Sequence, residues 1–252
     1  MTPARPATQP FPAHCFRLVG TIVPFARGRW ETGLNTTTRT RSDTKQNLIL
    51  SALDLFAQQG IDAVSMRTIN AAAGARNASA VHYHFGNKLG IIEAIISFIK
   101  DELDSHRLPA LQALEERAAA GKPPGTREIM WAALKPYDAL TKTPGYGRSA
   151  IRFLARLQTD MNADIQAVLN KDPHEIAQRF DTLLAEALPE LPADVRRSRY
   201  LYGWTLMVQS FAGTGSWRDT AFGNLRAANG DAALLRFFDY LVGGLEAPVS
   251  QP

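Results

Sequence analysis

The sequence predicts an all-α fold, a small N-terminal three-helix head followed by a larger helical body. Three observations carry that prediction. No stretch of the 252 residues alternates apolar and polar side chains over strand length. Apolar residues instead recur at three- and four-residue spacings along most of the chain. Finally, residues 65–88, SMRTINAAAGARNASAVHYHFGNK, read as two short helices around a tight turn, then the start of a third.

Residues 1–40 are rich in Pro, Thr and Arg, with Glu31 as their one acid. They are expected to be a disordered extension, or a basic arm using Arg27, Arg29, Arg39 and Arg41. The head is expected over residues 41–90. Its first helix starts near Ser42 or Asp43, buries Ile49, Ala52, Leu53 and Phe56, and closes at Gly60. Ser65 can cap the second helix, which places Met66, Ile69 and Ala73 on one face and stops at Gly74. The third is expected from near Asn77. At 100° per residue, Ala78, Val81 and Phe85 then face inward, while Arg76, Ser79, Ala80 and Tyr83 face out with His82 on the flank. One small apolar side and one basic, polar side is the make-up of a helix that packs on its own domain and enters a DNA major groove.

The body is expected over residues 91–248. Asn87 caps a helix from Lys88 to about Arg107, stopped by Pro109, with Leu89, Ile92, Ile95, Ile96 and Ile99 buried. After a turn at residues 121–125, Thr126 opens a helix through Ile129, Met130, Ala133 and Leu134, interrupted at Pro136 and again at Pro144-Gly145. Ser149 to Leu157 is amphipathic, with Ile151, Phe153, Leu154 and Ala155 inside. Asp172-Pro173 opens a helix carrying Ile176, Phe180, Leu183, Leu184 and Ala187. Pro192 opens another along Val195, Leu201, Trp204, Leu206, Val208 and Phe211. After a loop from Gly213 to Gly230, Asp231 caps the last helix, apolar from Leu234 to Leu245.

The segment from about Thr44 to Ile92 resembles the DNA-binding domain of TetR-family transcriptional regulators. The likeness rests on Ile49 to Phe56 with Gly60, Val64 to Ile69, Ala72 to Gly74, and the ending Tyr83-His84-Phe85-Gly86-Asn87-Lys88. Between Gly74 and Phe85 this chain has ten residues where the commonest family pattern has nine. The resemblance implies a backbone clamp at Tyr83, His84 and Lys88. Arg76 is the expected base reader, because a guanidinium pairs bidentately with guanine. Thr68, Asn77, Ser79 and His82 complete the candidate DNA contacts, Asn77 being equally a helix cap.

For the body the resemblance implies a pocket for a small, apolar effector, with Trp131, Tyr137, Phe153, Trp204, Met207 and Phe211 as lining candidates and Gln209, Arg152 or His106 as polar anchors among which the sequence does not choose. It also implies a homodimer built on the C-terminal helices. The candidate contacts are Tyr200, Trp204 and Val208 on one, and Phe237, Phe238 and Leu241 on the other. Burial of these residues within one chain is the alternative.

Composition bounds the rest. The first 90 residues hold ten Lys and Arg against four Asp and Glu, although the whole chain carries only +4. A basic front end suits a partner that is a polyanion, here double-stranded operator DNA. The single Cys15 excludes an internal disulfide and suits a cytoplasmic location. The longest N-terminal apolar run, Leu18 to Ala26, is broken by Gly20, Thr21 and Pro24, so no membrane partner is expected. His82 and His84 point about 200° apart on a helix and cannot share a metal. With no HExxH, GxSxG or phosphate-cradling loop, neither enzymatic activity nor a cofactor or metal is expected. The function expected is therefore that of a ligand-responsive regulator of transcription, most simply a repressor. Alternatives are an activator, a ligand-independent regulator, or a helical interaction protein that does not bind DNA.

Overall fold

A Ser hydroxyl, two left-handed glycines and an Asn amide set the geometry of the head. The computed structural model describes residues 41–75, 79–170, 174–213, 221 and 230–249. Helix α1 (Arg41–Gln59) buries Leu48, Ile49, Ala52, Leu53, Phe56 and Ala57 and ends at Gly60, φ +90°. Ser65 Oγ accepts from the Thr68 N–H at 3.0 Å and so starts α2 (Met66–Ala72). Gly74, φ +60°, turns the chain back. Helix α3 (Ala80–Phe85) follows, beginning later than the expected Asn77. Ala80 is correspondingly buried beside Val81, not outward as expected, because the first turn of α3 leans on α2.

Asn70 holds that lean. It is 3% exposed, and its Oδ1 accepts from the Val81 N–H at 3.0 Å. This N–H lies in the first turn of α3, where no intrahelical acceptor exists. One buried amide therefore satisfies an orphan donor and sets the angle between the two short helices.

Helix α4 (Lys88–Ala119) leaves the head directly. Asn87 Oδ1 caps it through the Gly90 N–H at 2.8 Å. Gly90 must be glycine, since a Cβ there would lie 2.1 Å from the Phe85 carbonyl oxygen. Pro109 does not stop α4. Buried Leu103, Leu111 and Leu114 hold both sides of it against the body, and packing outweighs one lost backbone donor. Pro136 is tolerated for the same reason inside α5 (Thr126–Lys142), between buried Ala132, Ala133, Tyr137 and Leu140.

Helix α6 (Gly147–Thr159) is the hub of the body, packed on α1, α5 and α9, with Ala150, Ile151, Phe153, Leu154 and Leu157 buried. Helix α7 (Ala163–Leu169), capped by Asn162, was not foreseen; it is short and buries only Ile165. Helices α8 (His174–Ala187), α9 (Ala193–Ala212) and α10 (Gly230–Glu246) complete the described fold. Asp181 on α8 binds Arg196 and Arg197 on α9, each at 2.8 Å, and Arg179 reaches back to Glu115 on α4 at 2.7 Å. Leu201 and Leu206 of α9 are exposed. Asp231 falls inside the first turn of α10 and does not precede it.

Residues 1–40, with Cys15, Arg27, Arg29 and Arg39, lie outside the described residues. So do Arg76, Asn77, Ala78, Asp172, Pro173, most of the 213–230 segment, and the side chains of Arg41 and Asp231. Among the described residues no strand occurs and no helix is long and apolar enough to cross a membrane.

Candidate nucleic-acid interface and ligand cleft

The exposed face of α2 and α3 gathers four of the eight expected DNA contacts, Thr68, Ser79, His82 and Tyr83. Thr68 is exposed, its hydroxyl 2.7 Å from Ser65 Oγ. Ser79, at the start of α3, is exposed, as is His82. His82 Nδ1 donates to the Gly86 carbonyl at 2.9 Å, because a carbonyl can only accept. That bond orients the ring and leaves Nε2 for an outside partner. Tyr83 is 67% exposed, with the His84 ring edge-on at 5.2 Å. Lys88 is placed differently from a free phosphate contact. Its ammonium donates to the Ile61 carbonyl at 3.0 Å and approaches that of Asp62 at 3.5 Å, so it ties the start of α4 to the α1–α2 turn. Arg67, which the sequence reading passed over, is exposed beside Thr68. Arg76, the expected base reader, and Asn77, a base contact or a helix cap, lie outside the described residues.

The head meets the body through α6. Arg156 donates to the Ala57 carbonyl at 3.0 Å and the Gln58 carbonyl at 3.1 Å. Both carbonyls belong to the last turn of α1, where a cation also meets the negative end of the helix dipole. Ser149 Oγ donates to Asp54 at 2.8 Å, and Phe56 stacks on Phe153 at 6.1 Å between centroids. Phe153, expected in the effector pocket, instead holds head and body together.

A cleft opens where α4, α5, α8, α9 and α10 converge. Tyr137, Trp204 and Met207 line it as expected, and the Trp204 indole N–H donates to Tyr137 Oη at 2.9 Å. His106 is exposed; its neighbour Arg107 is the residue that turns in. Trp131 packs edge-on against Phe238 at 5.0 Å, and Phe211 lies 6.1 Å from Phe237, so neither is among the lining residues. Tyr200 and Leu241, expected at a dimer contact, line the cleft instead. Gly203 lies in the wall of α9, and a methyl group there would meet Leu241 and Met130 at an ordinary 3.9 Å.

The dimer candidates divide. Val208 and Phe238 are fully buried within the single chain, with the Arg127 guanidinium 4.8 Å over the Phe238 ring. They belong to the chain's own core, because α10 turns its apolar stripe onto α5. The large apolar side chains that α9 and α10 leave exposed are Leu201, Tyr202, Leu206 and Tyr240. Among the described residues no group of His, Cys, Asp and Glu is arranged to hold a metal.

Comparison with known proteins agrees with this architecture. The family model described as "Bacterial regulatory proteins, tetR family" matches residues 48–95. A second, "Tetracyclin repressor-like, C-terminal domain", matches residues 131–244, so the two together span well over half of the chain. Among solved structures, a Rhodococcus sp. protein crystallised as a candidate TetR-family regulator aligns at 14% identity and a TM-score of 0.56, covering 79% of this chain and 99% of that one. NalD of Pseudomonas aeruginosa, the secondary repressor of the MexAB-OprM multidrug efflux pump, aligns at 20% identity and 0.51, covering 81% and 95%. A TetR-family regulator from Marinobacter aquaeolei aligns at 17% and 0.50, covering 82% and 98%. At such identities the structural likeness speaks for the fold.

Proposed function

The chain belongs to the TetR family of DNA-binding transcriptional regulators, and from that premise we propose that it is a homodimeric repressor released from a palindromic operator by a small effector. The reading is carried by one observation: α4 runs without interruption from the head to the cleft. Its first residue, Lys88, is tied to the α1–α2 turn, and Arg107 of the same helix lines the cleft. These residues stand about 28 Å apart along the helix axis. Arg156 gives a second route, from the body through α6 to the end of α1.

In this reading residues 41–90 read DNA and residues 91–248 sense the effector and dimerise. The exposed Ser79, His82 and Tyr83 approach the major groove and the backbone, with Thr68 and His84 beside them, and Arg76 is kept as the base reader offered by the sequence. A second copy covers Leu201, Tyr202, Leu206 and Tyr240, on the same two C-terminal helices as expected but on a different face of them. Binding requires the two α3 helices to stand about 34–36 Å apart, one turn of the duplex. The cleft has a free volume of about 20 Å³, room for little more than one water. An effector must therefore wedge α4, α5 and α9 apart. It weakens operator binding by the difference between its affinities for the open and closed arrangements.

Fluorescence anisotropy with DNA flanking the chain's own gene tests this. A two-fold site, protected over two half-sites about one helical turn apart and weakened steeply by salt, is expected. Binding that ignores sequence, or one protected half-site per bound molecule, refutes the dimeric repressor.

A further inference from the structure

The polar groups in the cleft have unequal hydrogen-bonding roles. Arg107 gives its Nε, at 3.0 Å, and its Nη2 to the same oxygen of Asp104. The N–H groups of its Nη1 have no acceptor among the described residues. Tyr137 Oη accepts from Trp204, so its own proton is free to turn elsewhere. Tyr200 also lines the cleft, and its hydroxyl makes no hydrogen bond among the described residues. Around these three donors the walls are apolar, with Met130, Leu134, Phe180, Met207 and Leu241 among them.

Charge points the same way. Asp104 is shared between Arg107 and, at 3.4 Å, Lys100, so one acid faces two cations. Burial opposes the charge on Arg107, but its pairing with Asp104 favours it, and the guanidinium stays ionised. Burial pushes the Tyr200 hydroxyl well above its ordinary range, with Tyr137 adding to this and Arg107 opposing it, so it keeps its proton. A site that offers donors and a net positive charge leaves an acceptor-only, anionic group as the matching partner.

We propose that the effector is a small organic monocarboxylate with an aromatic or branched aliphatic body, its carboxylate seated on Arg107 Nη1 and the hydroxyls of Tyr137 and Tyr200. This rests on the cleft being the effector site. It refines the expected apolar ligand to one apolar along its body and anionic at one end. None of the three anchors named from sequence, Gln209, Arg152 and His106, lines this cleft, and Arg107 takes the role.

The test uses matched acid and amide probes: benzoate with benzamide, phenylacetate with phenylacetamide, and hexanoate with hexanamide. Each is titrated calorimetrically into the full-length protein and scored separately for release of operator DNA. At least one acid binds about tenfold or more tighter than its amide, since a charge-assisted hydrogen bond from Arg107 Nη1 is involved. Arg107→Gln removes that preference, while Arg107→Lys regains part of it. Asp104 keeps Lys100 in both variants, so neither leaves a buried acid unpaired. Tyr200→Phe weakens the acid about three- to tenfold and leaves the amide unchanged. Equal binding of acids and amides, or no binding of any acid, overturns the proposal. Failure of the repressor reading looks different: the acids bind with the Arg107 dependence described, yet operator DNA is not released.

Discussion

Asn70→Ala removes the acceptor that joins α2 to α3, and its effect can be worked from the structure. The Val81 N–H would be left without a partner at the start of a helix, in a position the core has already closed to water. Stranding a buried donor costs about 1–3 kcal/mol, more than the net worth of an ordinary hydrogen bond. For a domain of this size that corresponds to a fall in Tm of roughly 2–12 °C. The second effect is the informative one. Asn70 is 3% exposed and cannot touch DNA, so any loss of operator affinity measured well below Tm reports a misplaced α3. The assay is a thermal melt beside operator anisotropy at about 15 °C. We expect a lowered Tm and at least a tenfold weaker complex. A variant that melts within a degree of the parent and binds normally would refute the role given to Asn70. One that melts early but binds normally would show that the hydrogen bond stabilises without orienting.

Phe238→Asp should unfold the body and not merely split a dimer, because it places a charge in a fully buried site at a cost of about 4 kcal/mol or more; a folded monomer would return Phe238 to the interface. Tyr202→Asp and Tyr240→Asp, at exposed sites, should instead give folded monomers by sedimentation with a collapsed operator affinity; unaltered dimers would sink the placement of the contact. Tyr83→Ala should weaken specific and random DNA alike, whereas Lys88→Ala should chiefly lower Tm because its ammonium holds the Ile61 carbonyl; a salt slope reduced by about one unit in the lysine variant would instead make it a phosphate contact. The hydrogen bonds from Arg179 and Arg117 hold the Glu115 and Glu128 carboxyls below their usual 4.5. For Asp181, burial acts upward but Arg196 and Arg197 prevail. Folded values below unfolded ones mean stability is complete above about pH 4.5 and is lost as pH falls below it; acid melts of Arg179→Ala should show a shallower loss, and an unchanged profile would deny the pair its part.

The head was legible because its chemistry is local. Gly60, Ser65, Gly74 and Asn87 each act within a few residues, and a cap or a left-handed turn is written in the residue that makes it. Asn70 escaped notice since its partner lies eleven residues on, across a turn. The prolines misled in the opposite direction. Pro109 and Pro136 are helix breakers by propensity, and only the buried side chains on either side, known from tertiary packing, decide that the helices continue. In the body, composition identified aromatic residues but not their faces. His106, one of the anchors offered, is exposed, and Arg107, which lines the cleft, lies one residue or 100° of helix away. Placing Tyr200 and Leu241 at a dimer contact and Phe238 beside them was an error of face. Helix α7 has too short a pattern and too little burial to be seen.

The run from Asn87 to Arg107 has a further consequence, for what the chain can tolerate. Side chains along its outer face can vary, since they touch neither the head nor the cleft. Their number cannot. One residue added between the Asn87 cap and Arg107 would advance everything beyond it by about 1.5 Å and rotate it by about 100°. Arg107 would leave the cleft, Ile95 and Ile99 would turn from core to solvent when the insertion precedes them, and the head would face a different way relative to the body. A compensating deletion would have to fall within the same stretch. In α4, then, the quantity that is held constant is a count. A change of length by one is expected to be more damaging there than most changes of residue.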